Sequence, residues 1–210
     1  MTNIFQQQQA ELNALLEKCP PDFKFAIVFE GRDTAGKSST IRELTHYLPD
    51  RFYRVNRSTM PSKTMMKHWL PHWSKILNSS KRIILFDRSW YSRALCQPVN
   101  HWCTKKQYQN FMRDVLAFER NQSRIVIKFW CSISEAEQKS RIKAREISPL
   151  KYWKLSPNDK MALSNYDKMT IKKEAVFCLG SQWHAIDYSN KESGMIVLLR
   201  TLNTEIAGLL

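Results

Sequence analysis

A three-layer α/β fold built on a doubly wound parallel sheet is expected for this chain on three grounds. Short apolar, β-rich runs alternate with longer segments of helical period. The first run leads through a glycine-bearing loop straight into a helix. At 210 residues the chain can bury a core on both faces of one sheet, whereas a second full domain would be cramped. Residues 1–210 are therefore expected to form a single domain.

Strand candidates fall near 24–29, 52–56, 82–87, 124–131 and 183–188. The run 82–87, "RIILFD", is apolar from Ile83 to Phe86, as suits a strand covered on both faces. Helical period runs near 37–47, 62–78, 104–121, 135–147, 157–178 and 191–208. Three helix starts carry capping chemistry: Thr104 with Gln107, Ser134 with Glu137, and Ser156 with Pro157 at the first helical position. Strands alternating with helices imply parallel pairing with crossover helices on both faces. Repeats, low-complexity tracts and an interdomain linker are not seen.

Composition narrows the partners. Thirty-three Lys and Arg against 19 Asp and Glu give a formal charge of +14 and a pI near 9.7, an excess that attracts polyanions. The N-terminal stretch lacks the basic start and apolar core of a signal peptide, and no apolar run approaches the ~20 residues of a membrane span. A cytoplasmic protein with no membrane partner is expected. Five cysteines, odd in number and without a CxxC pair, imply neither a disulfide framework nor a zinc ribbon, and read as reduced packing thiols.

The chemistry starts at "EGRDTAGKSST", 30–40. Gly31 to Ser38 fits G-x-x-x-x-G-K-[ST] between a strand and a helix, the context of a phosphate loop. The glycines let backbone N–H groups converge on phosphate oxygens, Lys37 adds a cation, Ser38 can ligate Mg²⁺, and the helix N-terminus favours the anion. Arg32, Thr34, Ala35, Gly36 and Ser39 complete the cradle. Asp33 stands out: a carboxylate here would repel phosphate unless a metal lay between, so it reads as a metal ligand or a base.

"RIILFDRSWYSRA", 82–94, ends a strand on Asp87, at the end where open α/β sheets bind ligands and where an acid can hold Mg²⁺. Arg88 and Arg93 follow. In 134–157, Arg141 and Arg145 lie four apart on one helix face, spaced to close over transferring phosphates as a lid, with Lys151 and Lys154 extending the surface. A solvated basic face is the plainer reading of that segment. His68 and His72 have the i,i+4 spacing of zinc ligands but no Glu between them and Pro71 intervening. Cys96, His101 and Cys103 supply at most three ligands. Both groups read as packing or surface residues.

Together "FEGRDTAGKSST", "LFDRSWYSRA", "FERN", "KFWCSISEAEQKSRIKAR" and "SPLKYWKLSPND" resemble polyphosphate kinase family 2 in its single-domain form, from about residue 20 to the C-terminus. The resemblance implies a P-loop kinase fold with a helical lid at 134–157. It also implies reversible, Mg²⁺-dependent phosphoryl transfer between inorganic polyphosphate and a nucleotide such as ADP/ATP, AMP or GDP/GTP. Asp33 and Asp87 would then be the metal and catalytic acids, Lys37, Arg88 and Arg93 phosphate ligands, and Arg141 and Arg145 the lid arginines. The pattern departs at Ser38 and Ser39, where two glycines are common, at Lys63 and Thr64 (Glu and Arg in such proteins), and at Gln97, often acidic. The last three bear on acceptor choice.

Phosphoryl transfer needs in-line positioning and cations more than covalent help, which these residues can supply, and a long polyanion accounts for the +14. A thymidylate-kinase-like enzyme shares "FEG…GK" and "DR" plus an aromatic, but the basic excess and "KLSP" argue against it. A non-catalytic polyanion-binding P-loop protein is the other alternative; nucleic acid is not expected, since no RNA or DNA signature appears. The expected assembly is a homo-oligomer.

Overall fold

The computed structural model describes residues 3–150, 152–154 and 157–210; Lys151, Ser156 and the side chain of Lys154 lie outside them, so the Ser156 cap does too. Strands β1 (Phe25–Gly31), β2 (Tyr53–Arg57), β3 (Ile83–Asp87), β4 (Ile125–Ser132) and β5 (His184–Asp187) form a parallel sheet in the order β2-β3-β1-β4-β5. Helices α1 (Asn3–Lys18), α2 (Lys37–Thr45), α3 (Lys63–Lys67), α4 (Trp69–Leu77), α5 (Cys96–Val99), α6 (Lys105–Arg120), α7 (Glu135–Glu146), α8 (Pro157–Ser164), α9 (Tyr166–Phe177) and α10 (Lys191–Ala207) connect and cover it.

The pleat sends alternate residues of each strand to opposite faces. From β1, Phe25, Ile27 and Phe29 join one core with Leu12, Leu16, Ile41, Leu44 and Leu202. Ala26 and Val28 join the other, with Trp73, Trp90, Phe111 and Val176. Helices α1, α2 and α10 thus cover one face, and α4, α6 and α9 the other. The chain leaves β1 toward the first face and β3 toward the second, although the two strands are neighbours with Phe29 opposite Asp87. Their C-terminal ends therefore flank the crevice where the connections diverge, the place open α/β sheets hold ligands.

Three helical details differ from the sequence expectation. The 62–78 candidate is two helices, broken at His68 (φ −118°, ψ 53°); Pro71 sits in the first turn of the second, where a missing N–H costs little. The 157–178 candidate divides at Asn165. Helix α1 was not anticipated. Its Gln-rich face is polar, yet Phe5, Gln9, Leu12 and Leu16 are buried on one stripe, Gln9 Nε2 donates to Leu44 O at 3.0 Å, and the helix packs along α10. The caps of α6 and α7 form as expected: Thr104 and Gln107 make the reciprocal box, and Ser134 Oγ accepts from Glu137 N. Among the described residues no helix is long and apolar enough to cross a membrane, and all five cysteines are free thiols.

Candidate active site

Two of the five glycines frame the loop after β1 because neither position admits a side chain. At Gly31 (φ +141°) a Cβ would lie 2.3 Å from the Cys131 carbonyl oxygen on neighbouring β4, a contact no rotamer relieves. At Gly36 (φ +115°) it would meet the Tyr188 ring at 3.3 Å. Between them Thr34, which is not glycine, is also left-handed, at φ +65°. Helix α2 then begins at Lys37, presenting its first-turn amides to the loop as an anion site. The hydroxyls of Ser39 and Thr40 donate to Gly36 O at 2.7 and 3.1 Å and fasten the corner.

Lys37 is buried. Its Nζ donates to the carbonyls of Gly31 and Arg32 at 3.1 and 2.7 Å, folding the ammonium back on the loop it serves. Burial, reinforced by the Arg88 charge, lowers its pKa from the usual lysine value, with Asp33 and Asp87 opposing.

The strand ends bring two carboxylates to this corner. Asp87, at the tip of β3, accepts a hydrogen bond from Ser38 Oγ. Asp33, inside the loop, pairs with Arg88. Burial alone would raise the Asp33 pKa, but Arg88, Lys37 and Arg145 together hold it below the ordinary carboxylate value. Arg88 is itself left-handed (φ +64°).

What fixes that turn is Glu30, which sequence reasoning passed over. Its Oε1 accepts from both the backbone N–H and the hydroxyl of Ser89, at 2.8 and 3.0 Å. The carboxyl is fully buried, and burial raises its pKa against the pull of Arg88. An acid inside an otherwise apolar strand, just before the motif glycine, was the signal that could have found it.

The remaining arginines are placed in ways the spacing did not show. Arg32 leaves the loop for α9: its guanidinium donates to Tyr166 O at 2.9 Å and Thr170 Oγ1 at 2.5 Å and lies 3.3 Å from the centre of the Tyr166 ring. Arg93 is 1% exposed; it donates to Met66 O at 2.8 Å, near the α3–α4 break, and sits over the Trp69 ring. Arg145 binds both oxygens of buried Asp159 at 3.2 Å. Arg141 reaches the outer side of the phosphate loop, donating to Thr34 O and Ala35 O at 3.3 and 3.2 Å and to Tyr188 O and Ser189 O at 2.6 and 3.1 Å.

Cys96 and Cys103 form no ligand group; each thiol donates to a backbone carbonyl, of Ser92 and Arg93 respectively. Burial pushes the Cys131 thiol up to about 12, which keeps it protonated and inert. Among the described residues no three His, Cys, Asp or Glu side chains gather as a self-sufficient metal cluster. Mg²⁺ retains waters and is commonly held by one or two carboxylates plus substrate phosphates. The donors present are hard oxygens: Asp87 and the Ser38 hydroxyl already in contact, with Asp33 across the loop.

On the β2 side of Asp33 and Arg88 opens a cavity of about 150 Å³. Met60, Trp69 and Trp102 give it apolar walls; Ser92, Gln97 and Asn100 line it with polar groups. Behind this lining, Ser92 Oγ and Gln97 Oε1 are buried without a hydrogen-bond partner among the described residues.

A glycine loop feeding a helix from the central strand of a 2-3-1-4-5 sheet, with an acid on the adjacent strand tip, defines a P-loop kinase-like scaffold. The family model of polyphosphate kinase 2 matches residues 2–209, and the chain belongs to that family. It is 36% identical over 185 residues to an NDP-polyphosphate phosphotransferase of Ruegeria pomeroyi, covering 84% of this chain and 54% of that protein. It is 39% identical over 157 residues to an ADP-polyphosphate phosphotransferase of Pseudomonas aeruginosa, covering 73% and 52%. The chain thus spans about half the length of these curated relatives. The crystal structure of a polyphosphate kinase 2 from Arthrobacter aurescens superposes with a TM-score of 0.89 at 23% identity, over 98% of this chain and 77% of that one, a likeness of fold.

Proposed function

We propose that the protein is a polyphosphate:nucleotide phosphotransferase that moves a phosphoryl group between inorganic polyphosphate and a nucleoside mono- or diphosphate. The observation that carries this is the meeting of Asp33, Lys37, Asp87 and Arg88 at the diverging ends of β1 and β3, beside a cavity with apolar walls and a polar lining. The printed names of the relatives, acting on NDP and ADP with polyphosphate, point the same way.

In this reading the acceptor nucleotide enters the cavity, its base between Met60 and the tryptophans, its phosphates toward Asp33 and Arg88. Polyphosphate meets the loop amides and Lys37. Both substrates then converge where a transferred group would lie in line between them. Asp33 and Asp87, with Ser38, would hold Mg²⁺, which supplies charge neutralisation on the phosphoryl oxygens. On binding, Lys37 would exchange the carbonyls of Gly31 and Arg32 for phosphate oxygens, and Arg88 would exchange Asp33 for the same. Excess basic charge over the surface favours the long polyanion through counterion release.

A donor and acceptor matrix tests the proposal: polyphosphate or ATP as donor, with AMP, ADP, GDP or dTMP as acceptor, with Mg²⁺ and with the metal chelated. Mg²⁺-dependent appearance of ATP or GTP from polyphosphate supports it. Turnover confined to ATP with dTMP would make the protein a nucleoside monophosphate kinase, and binding without turnover a polyanion-binding protein.

A further inference from the structure

Three carbonyls in the middle of the phosphate loop are held by one helix, α7. Gln138 Nε2 donates to Asp33 O at 3.1 Å, and Arg141 Nη1, one turn later on α7, donates to Thr34 O and Ala35 O at 3.3 and 3.2 Å. Three consecutive carbonyls of the loop are therefore turned toward α7. The other guanidinium edge of Arg141 reaches Tyr188 O and Ser189 O, the corner that follows β5, and Glu137 Oε1 orients the side chain by accepting from Nε at 2.6 Å. Arg141 thus ties the loop to β5 and to its own helix with five hydrogen bonds, on the side of the loop opposite the cradle.

Peptide geometry gives this a consequence. In a trans peptide the N–H points opposite to the preceding C=O, so carbonyls of Asp33 and Ala35 drawn toward α7 turn the amides of Thr34 and Gly36 the other way, toward the cradle, while the Ala35 amide, paired with the Thr34 carbonyl, is taken by Arg32 O at 3.3 Å. Thr34 is the residue at φ +65°, a conformation that costs a non-glycine residue free energy and persists only where its surroundings impose it. A guanidinium on the carbonyl is also a charge-assisted partner, stronger than a neutral one, and it polarises the peptide so that the amide on the far side donates better.

We infer that Arg141, with Gln138 before it, is a positioning residue: it holds the phosphate loop in its strained, ligand-ready shape from outside, and does not close over the transferring phosphates as its spacing with Arg145 suggested. The inference rests on the loop being the phosphate site of the proposed reaction.

The test uses Arg141→Ala and Arg141→Lys in the full chain, with three readouts. Hydrogen exchange of the free protein should rise in the peptide covering 32–38 and in that covering 187–190, while the strands keep their protection. Affinity for tripolyphosphate without nucleotide, measured by calorimetry at fixed Mg²⁺, should fall about tenfold or more, the scale of lost charged hydrogen bonds. In turnover, KM for polyphosphate should rise at least as much as kcat falls, and millimolar ethylguanidinium should restore part of both in the alanine variant. Lysine, with one ammonium for four carbonyls, should recover little; if the alanine variant fails to fold, the lysine variant carries the same exchange and affinity measurements. Wild-type exchange and wild-type tripolyphosphate affinity beside a collapsed kcat would overturn the inference and return Arg141 to the lid. Exchange needs no ligand, so failure of the wild-type protein to bind tripolyphosphate would count against the proposed reaction and leave this inference standing.

Discussion

Asp33 and Arg88 stand 55 positions apart in the chain and form an ion pair across the crevice between β1 and β3. Each is the other's partner in the free protein, and each is also needed by ligand in the proposed reaction. In that reaction the pair would be a placeholder, keeping the carboxylate ionised and the guanidinium in place until metal and phosphate replaced them.

Replacing Asp33 by Asn keeps the shape and removes the charge. Transfer should be lost while circular dichroism stays that of the parent. Near-normal turnover in a folded Asp33→Asn variant would confine metal binding to Asp87.

The same pair sets an acid limit on stability. The folded pKa of Asp33 lies below its ordinary value, so its contribution is present above the unfolded pKa of about 3.9 and is lost as pH falls through the folded value. Urea denaturation of wild type and Asp33→Asn at pH 7, 5 and 3 should show a stability gap that is constant at the first two and shrinks at the last. A gap unchanged at pH 3 would mean that the Arg88 contact does not favour the ionised acid.

Asp87 accepts from Ser38 Oγ, placing a carboxylate and a hydroxyl together at the tip of β3. Asp87→Asn should lower kcat on the order of 10³-fold or more, the scale expected for losing a metal ligand. Titrating Mg²⁺ is the check: if high Mg²⁺ restores full activity to the variant, Asp87 contributes affinity alone.

Much of this was legible because it is local. The strands were placed within a residue or two of their ends, since apolar runs bounded by Gly, Asp and Ser carry their own limits. That Asp33, Lys37 and Asp87 meet at one corner was legible because a phosphate loop and a strand-tip acid are short-range patterns. What escaped depends on distant partners. Arg141 and Arg145 look alike in sequence, yet one reaches carbonyls about a hundred residues away and the other an acid 14 positions on. The burial of Arg93 follows from a helix break at His68 that period alone did not reveal. Helix α1 was hidden because Gln9 takes a core position through a hydrogen bond to Leu44 O, an apolar stripe with a polar member.

In the proposed reaction Arg145 is the arginine that would act on the reacting group. It pairs with Asp159, and its charge is felt at Asp33. Arg145→Ala should lower kcat by about 10²-fold while moving KM much less, because the loss falls in the transition state. A change in KM alone would make it a chain-binding residue.

The central claim is that this chain moves phosphoryl groups from polyphosphate to a nucleotide at the Asp33 and Asp87 corner. The direct measurement is transfer of ³²P from uniformly labelled polyphosphate to unlabelled ADP or GDP, run with Mg²⁺ on the wild type and on Asp87→Asn side by side. The account predicts labelled ATP or GTP from the wild type, none after chelation of the metal, and almost none from the variant. Label that stays in polyphosphate with the wild type, or equal transfer by the two proteins, would contradict it.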